Sequence, residues 1–257
     1  MAPSERSGPA SAIGVDVGGS GIKGAPVDVV GGAFAADRVR IPTPQPATPA
    51  AVAATIAEVL GQLGGSGPTG ITMPAVVRNG VVETAANIDP SWIGVDAADL
   101  FGTALGRPVA VLNDADAAGL AEEKFGAGKD NSGVIVLLTF GTGIGSAVIH
   151  NGILLPNTEF GHLEVGGKEA EHRAASSVKD RKEWSYERWT EEVTKVLVVV
   201  ENAIWPDLFI AGGGISRKAD KWIPLLKNRT PVVAATLLNT AGIVGAAMAT
   251  EVEAVPT

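Results

Sequence analysis

Asn113 and Asp114 are the first pair of residues whose types and position suit chemistry. They follow residues 109–112, a short apolar strand candidate, and precede residues 115–125, which have the composition of a helix. Both residue types are favoured at helix N-caps, so capping is the plain interpretation. A carboxylate at a strand-to-helix junction can also accept the proton of a hydroxyl group that attacks phosphorus, while Asn113 holds a neighbouring hydroxyl. The two interpretations are compatible.

Three glycine-rich turns each follow an apolar, strand-like segment. Glycines let backbone N–H groups approach phosphate oxygens without a Cβ in the way, and ligands of α/β sheets bind beyond the carboxyl ends of strands. Near the first turn, Lys23 adds positive charge and Asp16 can reach a hydrated Mg²⁺. Each turn alone is equally consistent with an ordinary hairpin, and the first lacks the spacing of a Walker loop. The turns are Gly18, Gly19, Ser20 and Gly21; Gly141, Thr142 and Gly143; and Gly212, Gly213 and Gly214.

Glu159 and His162 stand three residues apart, beside Gly161. A carboxylate and an imidazole at this spacing suit the recognition of hydroxyl groups, because both make directional hydrogen bonds. As a structural zinc site the segment is poor, since it offers one His, two carboxylates and no Cys. The alternative is a set of polar side chains on a surface loop.

A run of basic residues is interleaved with glutamates between residues 179 and 195. This pattern favours a solvated helix face with i,i+4 ion pairs, and a track for a phosphate chain is the sharper alternative. Three tryptophans in the region are expected to pack rather than to stack on bases. The basic residues are Lys179, Arg181, Lys182, Arg188 and Lys195, and the tryptophans are Trp184, Trp189 and Trp205.

The composition limits the classes of protein. A chain of 257 residues with 46% hydrophobic content can bury a substantial core, and the absence of cysteine excludes disulfides and thiolate metal sites. The formal net charge of −8 argues against general binding to nucleic acids or membrane surfaces. The most apolar window, residues 193–205, is too short to span a bilayer. Residues 1–12 do not resemble a signal peptide, and we expect a cytoplasmic protein.

Strand, glycine turn and return strand occur at residues 13–29 and again at 133–149. Thr48 and Pro49 mark a helix start, and Gly64 marks its end. Residues 174–205 read as one long, largely helical stretch. The recurrence predicts two similar α/β halves, although spacing alone is a weak indication of a repeat.

Taken in order, the motifs resemble those of the ROK sugar kinases, within the actin/Hsp70/hexokinase superfamily, over roughly residues 13–250. Residues 159–168 and 182–189 further resemble the actinobacterial polyphosphate glucokinases and polyphosphate/ATP-glucomannokinases. The motifs are Asp16-x-Gly18-Gly19-Ser20-x-x-Lys23, Asn113-Asp114, Phe140-Gly141-Thr142-Gly143-Ile144-Gly145, Glu159-x-Gly161-His162 and Gly212-Gly213-Gly214.

The resemblance implies an α/β, actin/Hsp70/hexokinase-like fold of two lobes around a central cleft. Residues 1–12 would be a flexible tail. Residues 13–112 would form a small lobe, with a C-terminal helix at about 239–250 packing back on it, and residues 113–238 would form a large lobe.

The resemblance also implies roles for individual residues. Asp114 would be the catalytic base, and Mg²⁺ or another divalent cation would bind near Asp16. The chain lacks the Cys-rich zinc motif of many relatives, so we expect no structural zinc. The sugar would be held by Asn87, Asn113, Asp114, Glu159, His162 and Glu171, with His172, one position away, as the alternative to Glu171. Phosphate would be held by Gly18, Gly19, Ser20, Lys23, Gly141, Thr142 and Gly143. A nucleotide would be held by Gly212, Gly213 and Gly214.

The implied activity is transfer of the terminal phosphoryl group of polyphosphate, and of ATP, to the 6-hydroxyl of glucose, with mannose as a second acceptor. The protein would be a homodimer by resemblance. A strictly ATP-dependent glucokinase, a sugar-responsive regulator and a non-catalytic sugar- or phosphate-binding module remain alternatives. The acidic charge speaks against the regulator, because DNA binding needs basic surface.

Overall fold

The structure is a computed structural model that describes residues 11–86 and 88–251. Residues 1–10, most of the predicted tail, lie outside this part, and the first strand begins at Ser11 with Ala12 already buried. In the described part the strands are β1 (Ser11–Gly18), β2 (Gly21–Asp28), β3 (Ala33–Phe34), β4 (Val39–Ile41), β5 (Thr69–Met73), β6 (Val77–Arg78), β7 (Val81–Val82), β8 (Val109–Asn113), β9 (Val134–Phe140), β10 (Ile144–His150), β11 (Ile153–Leu155), β12 (Leu208–Gly212) and β13 (Val232–Ala234). The α-helices are α1 (Pro49–Leu63), α2 (Ala97–Leu105), α3 (Asp114–Phe125), α4 (Ala170–Ala174), α5 (Ser176–Arg181), α6 (Tyr186–Ile204) and α7 (Ala241–Met248), joined by short 3₁₀ turns.

The chain divides into two compact units. One runs up to Leu112 and includes the chain from Ala246 onward, and the other comprises Asn113–Gly245. The division at Ala246 falls inside α7.

Each unit contains a sheet with the same order of strands. In the first unit the order is β3-β2-β1-β5-β8, with β4 also paired to β2. In the second unit it is β11-β10-β9-β12-β13. Both central strands pair antiparallel with the next strand in sequence and parallel with the strand on their other side. The predicted repeat of strand, glycine turn and return strand is therefore confirmed at the level of topology.

Helix α1 of the first unit has the predicted ends. The Thr48 side chain accepts a hydrogen bond from Ala51 N–H, Pro49 occupies the first turn, and the left-handed Gly64 closes the helix. Its apolar face is fully buried, as the 3.6-residue periodicity predicts. The buried residues are Val52, Ala53, Ile56, Val59 and Leu60.

Residues 174–205 contain the last residue of α4 and two further helices, α5 and α6, instead of one long helix. The chain leaves helical geometry at Glu183, whose φ is +51°, and restarts at Ser185, whose hydroxyl caps α6. The prediction of packing was right for Trp189, which is fully buried against Phe140 and Trp222. It was wrong for Trp205, which is 68% exposed with the Arg229 guanidinium 3.9 Å from its ring centroid. Trp205 is the left-handed residue that ends α6, so it leaves the buried face of that helix.

The predicted ion pairs are present on α6. Arg188 contacts Glu192 at 2.9 Å with i,i+4 spacing, Lys195 contacts the same carboxylate at 2.8 Å, and Arg173 from α4 contacts its other oxygen. Glu192 is only 3% exposed. Burial alone would raise the pKa of its carboxyl, but the hydrogen bonds from the three cations outweigh burial and lower that pKa to about 2. In the described part of the chain, no helix is long and apolar enough to cross a membrane.

Candidate active site

The first glycine turn joins β1 to β2 in the first unit. Asp16 lies opposite Lys23 in this hairpin, and the Lys23 Nζ is 3.0 Å from the Asp16 Oδ2. The Thr72 hydroxyl on β5 donates to the other Asp16 oxygen at 3.1 Å. A carboxylate and an ammonium therefore lie together at the base of the turn. Both side chains are partly exposed and accessible to a phosphate or a hydrated cation.

Arg40 is a second cation at this turn, and the sequence analysis missed it. Its Nη2 donates to the Ser20 carbonyl at 2.9 Å, and a Cβ at Gly21 would lie 2.8 Å from its Nε. Gly21 therefore makes room for this guanidinium. Arg40 reaches the turn because β4 pairs with β2, which places Arg40 opposite Lys23. Nothing in the local sequence indicates that pairing.

A cavity of about 280 Å³ in the first unit opens beside the same turn. Gly18 and Gly19 line it together with Thr43, Pro74 and Asp89. The Thr43 hydroxyl donates to the Gly18 carbonyl and so ties the turn to the chain after β4. The cavity has both polar and apolar lining residues, which suits a small polar ligand. Asn87, predicted to bind sugar, lies outside the described residues.

In the second unit, Asn113 and Asp114 stand at the junction of β8 and α3. The Asn113 Oδ1 accepts from the N–H groups of Ala115 and Asp116, at 2.8 and 3.1 Å, and so caps the helix. Asp114 is the first residue of α3, and its Oδ1 accepts from Ala115 N–H at 2.8 Å. The capping interpretation is confirmed. It leaves Asp114 partly exposed in a defined position at the helix start.

Asp116 lies two residues further along the same helical turn, and the sequence analysis did not single it out. It is 1% exposed, and its Oδ2 accepts from Asn157 N–H at 2.8 Å. Burial raises the pKa of its carboxyl to about 7, against the effect of that hydrogen bond, and the nearby Glu159 and Asp114 carboxyls raise it further. The sequence shows a second Asp but carries no signal of its burial.

Glu159, His162 and Glu171, which the resemblance assigns to sugar binding, come together in the chain after β11. The His162 Nε2 is 3.7 Å from the Glu159 Oε2, and the His162 Nδ1 is 3.3 Å from Glu169, which the sequence analysis missed. Burial is the largest cause that raises the pKa of Glu159, His162 opposes it, and Glu171 raises it further. Glu171 is the more enclosed of the two alternatives, because its side chain is 19% exposed and that of His172 is 69% exposed.

The same cluster offers ligand atoms of three residues within 4.8 Å of one another, from His162, Glu169 and Glu171. Carboxylates and an imidazole at such distances suit sugar hydroxyls as well as a cation. The absence of a structural zinc stays a prediction.

The second and third glycine turns are neighbours in the second unit. β12 pairs with β9 so that Gly212 lies opposite Thr139. Gly213, with a φ of +83°, approaches Phe140 so closely that a Cβ would lie 2.4 Å from the Phe140 carbonyl oxygen. Only glycine allows both the conformation and the contact. The tertiary pairing of β9 with β12 thus brings the predicted phosphate turn beside the predicted nucleotide turn.

The phosphate turn is braced by the start of α5 and by Glu171. The hydroxyls of Ser176 and Ser177 donate to the carbonyls of Gly141 and Thr142, at 3.1 and 2.7 Å. These bonds hold the carbonyl groups on one side of the turn. The Glu171 Oε2 lies 3.4 Å from Ile144 N, which links the sugar cluster to the end of the same turn.

Comparisons with known proteins extend these observations. The chain is 69% identical over 238 residues to the polyphosphate glucokinase of Mycobacterium tuberculosis (strain CDC 1551 / Oshkosh), covering 92% of this chain and 90% of that relative. It is 66% identical over 251 residues to the polyphosphate glucokinase of Mycobacterium leprae (strain TN), covering 96% and 78%.

Among solved structures, the chain is similar to the inorganic polyphosphate/ATP-glucomannokinase of Arthrobacter sp. strain KM, with a TM-score of 0.89 and 46% identity over 94% of this chain and 98% of that one. This similarity confirms the expected actin/hexokinase-like fold of two α/β lobes. The ROK family model matches residues 12–177, more than half of the chain. With these relatives and this match, the chain belongs to the ROK family.

Proposed function

We propose that this chain is a polyphosphate glucokinase that transfers the terminal phosphoryl group of inorganic polyphosphate, and of ATP, to the 6-hydroxyl of glucose, with mannose as a second acceptor. The observation that carries the proposal is the 69% identity, over nine tenths of the chain, to a relative named polyphosphate glucokinase. The glucomannokinase similarity supports the use of both donors and both sugars. It also favours the kinase over the regulator and the non-catalytic module.

The proposed mechanism assigns Asp114 as the general base. Its carboxylate is held at the first position of α3, where it can accept the proton of the sugar hydroxyl as that oxygen attacks phosphorus. Asn113, Glu159, His162 and Glu171 would orient the sugar through hydrogen bonds. Most of the rate enhancement would come from positioning and from stabilising charge on the transferring group.

The glycine turns would bind the donor. Backbone N–H groups of the two hairpins, with Lys23 beside the first, match the negative charge of a phosphate chain. Gly212, Gly213 and Gly214 would border a nucleotide when ATP is the donor. Asp16 is a single, partly exposed carboxylate, which fits a Mg²⁺ ion that keeps several waters and also binds substrate phosphates. Mg²⁺ would neutralise phosphate charge there.

The proposal includes a cytoplasmic homodimer. The lack of cysteine agrees with a reducing compartment, and the dimer rests on the resemblance. Light scattering after size-exclusion chromatography tests the dimer.

Steady-state kinetics with two donors and two sugars test the function. We expect glucose 6-phosphate to form with both polyphosphate and ATP, and the two values of kcat/KM give the donor preference. Activity with ATP alone would support the strictly ATP-dependent alternative. No product with either donor, from protein shown to be folded by circular dichroism, would contradict the kinase proposal.

The Arg40→Gln variant tests whether the Arg40 guanidinium at the first glycine turn helps to bind polyphosphate. We expect the KM for polyphosphate to rise about 3- to 10-fold, the size of one or two weak charge-assisted contacts, with the KM for glucose unchanged. Arg78→Gln is the matched control, because Arg78 is also an exposed arginine on a short strand of the first unit. Equal effects of the two substitutions on the KM for polyphosphate would exclude a specific role for Arg40.

A further inference from the structure

Asp116 is a buried acid that the proposed mechanism does not use. It lies in the first turn of α3, two residues after Asp114, and it is 1% exposed. Carboxyl groups are seldom buried this deeply without a cation, because burial disfavours the charged form. Within residues 11–86 and 88–251, no ion pair joins Asp116 to a cation. Its burial therefore needs an explanation.

The two oxygens of Asp116 have different surroundings. Oδ2 accepts from the main-chain N–H of Asn157 at 2.8 Å, across 41 residues of sequence. Oδ1 is buried and accepts no hydrogen bond from any described residue. An ionised carboxylate would leave negative charge on a buried oxygen that has neither a donor nor a cation, whereas a protonated acid leaves only a neutral hydroxyl there, which costs less to bury. The geometry therefore favours the protonated form.

Asn157 begins the segment that carries Glu159. Its φ of +59° places it in the left-handed region, so the chain turns sharply there. Two further bonds hold the next residues: the Ser146 hydroxyl donates to the Thr158 carbonyl at 2.6 Å and accepts from Phe160 N–H at 3.0 Å. Asp116 and Ser146 thus fix the main chain on both sides of Glu159.

Among the residues that the structure describes, the charged groups that shift the pKa of Asp116 are two carboxyls. Asp114 lies on its own helix, and Glu159 lies on the segment after Asn157, and each raises the pKa of Asp116 beyond the effect of burial. Three ionised carboxylates would repel one another at the position where a hydroxyl group must bind. A proton on Asp116 removes one of the three charges and leaves the bond to Asn157 intact.

We propose that Asp116 is a positioning residue that, as a neutral acid, ties the Glu159 segment to the helix turn carrying Asp114 and so orders the sugar-binding groups around the catalytic base. This inference rests on the proposed function. It adds a specific consequence: the affinity for sugar depends on a proton that neither the base nor the sugar-binding residues carry. Ionisation of Asp116 above neutral pH would place a third negative charge beside Asp114 and Glu159 and weaken sugar binding.

The Asp116→Asn variant tests the proposal, because Asn keeps a carbonyl oxygen for Asn157 N–H and stays neutral at every pH. We expect the wild-type KM for glucose to rise several-fold between pH 6 and pH 8.5, and the variant's KM to change less than about 2-fold over the same range. Asp116→Ala, which lacks the acceptor, should raise the KM for glucose about 10-fold at pH 6 with a smaller change in kcat. If Asp116→Asn keeps the low KM for glucose and Asp116→Ala does not, the acceptor oxygen at residue 116 positions the sugar-binding segment, and packing alone does not explain the effect.

Thermal unfolding gives a readout that needs no activity. The folded-state pKa of Asp116 is raised, so wild-type stability should fall, relative to Asp116→Asn, as the pH rises from about 4 to about 7. We expect the Tm difference, Asp116→Asn minus wild type, to be larger at pH 7 than at pH 4 by about 5 °C or more. Asp99→Asn is the matched control, since Asp99 holds the same position in α2 but is exposed, and it should show no such trend.

If the Tm difference between Asp116→Asn and the wild type does not depend on pH, the assignment of Asp116 as a neutral acid is wrong. This test does not require Asp116→Ala to fold. An unchanged KM for glucose in a folded Asp116→Ala protein would overturn the positioning role. If either result is obtained and the wild-type protein phosphorylates glucose, this inference is wrong but the proposed function stands. If the wild-type protein does not phosphorylate glucose, the proposed function itself is contradicted.

Discussion

Replacing Asp114 with Asn is expected to lower kcat for glucose phosphorylation by about 10²- to 10⁴-fold, the usual contribution of a positioned general base. The Asn side chain keeps an oxygen that can accept from Ala115 N–H, so the start of α3 should stay intact. The amide cannot accept the proton of the attacking hydroxyl. The KM for glucose should therefore change little while kcat falls. Steady-state assays with polyphosphate and with ATP give both parameters.

The pattern of effects separates the base from a simple cap. Asp96→Asn alters the N-cap of α2, whose side chain accepts from Asp99 N–H at 2.8 Å, and serves as the structural control. It should leave kcat unchanged. Normal phosphorylation by Asp114→Asn would refute the catalytic role, and an equal loss in the Asp96 variant would attribute the effect to helix capping in general.

Replacing Glu192 with Gln is expected to lower the free energy of unfolding by about 3 kcal/mol at pH 7, which corresponds to the difference between an ordinary Glu pKa and the lowered one. Three cations share this buried carboxylate, and a neutral amide leaves Arg173, whose side chain is only 14% exposed, without its counter-charge. Urea denaturation followed by tryptophan fluorescence measures the loss.

The pH dependence of this loss has a defined sign. A carboxyl whose folded-state pKa is lowered contributes stability above its unfolded pKa of about 4.5, and the contribution disappears as the pH falls through about 2. The difference between wild type and Glu192→Gln should therefore be constant from pH 7 to pH 5 and shrink by roughly half by pH 3.

Glu191→Gln is the control, because Glu191 pairs with Arg188 but its side chain is 64% exposed. It should cost less than about 1 kcal/mol. A destabilisation by Glu192→Gln that stays constant down to pH 3 would show that packing, and not charge, accounts for the effect.

The local elements were predictable because their signals are local. The ends of α1 follow from Thr48, Pro49 and Gly64, whose backbone preferences act within one turn of the helix. The alternation before Gly18 likewise predicts a strand that ends in a tight turn. Residues 174–205 were harder. Their apolar spacing is helical throughout, and the break before α6 depends on one left-handed residue, Glu183.

The residues that the sequence analysis missed are those that reach the site through strand pairing or burial. Arg40 stands beside the first turn only because β4 pairs with β2. The pKa of Asp116 is raised because the fold buries its carboxyl, and the hydrogen bond from Asn157 opposes that rise. Trp205 shows the converse error, since an apolar side chain near a helix end was expected inside and lies in solvent.

The sequence by itself determined which chemistry is available to this protein. It supplies a carboxylate at residue 114 next to a helix N-cap, glycine turns that expose backbone N–H groups, and a Glu-x-Gly-His segment. Residue type and spacing are sufficient for this, because caps and turns depend on neighbours along the chain. Only the tertiary structure decided which of these groups meet, which acids lose contact with water and which cations stand beside the turns. Those properties depend on burial and on strand partners far apart in sequence, and no short stretch of residues encodes them.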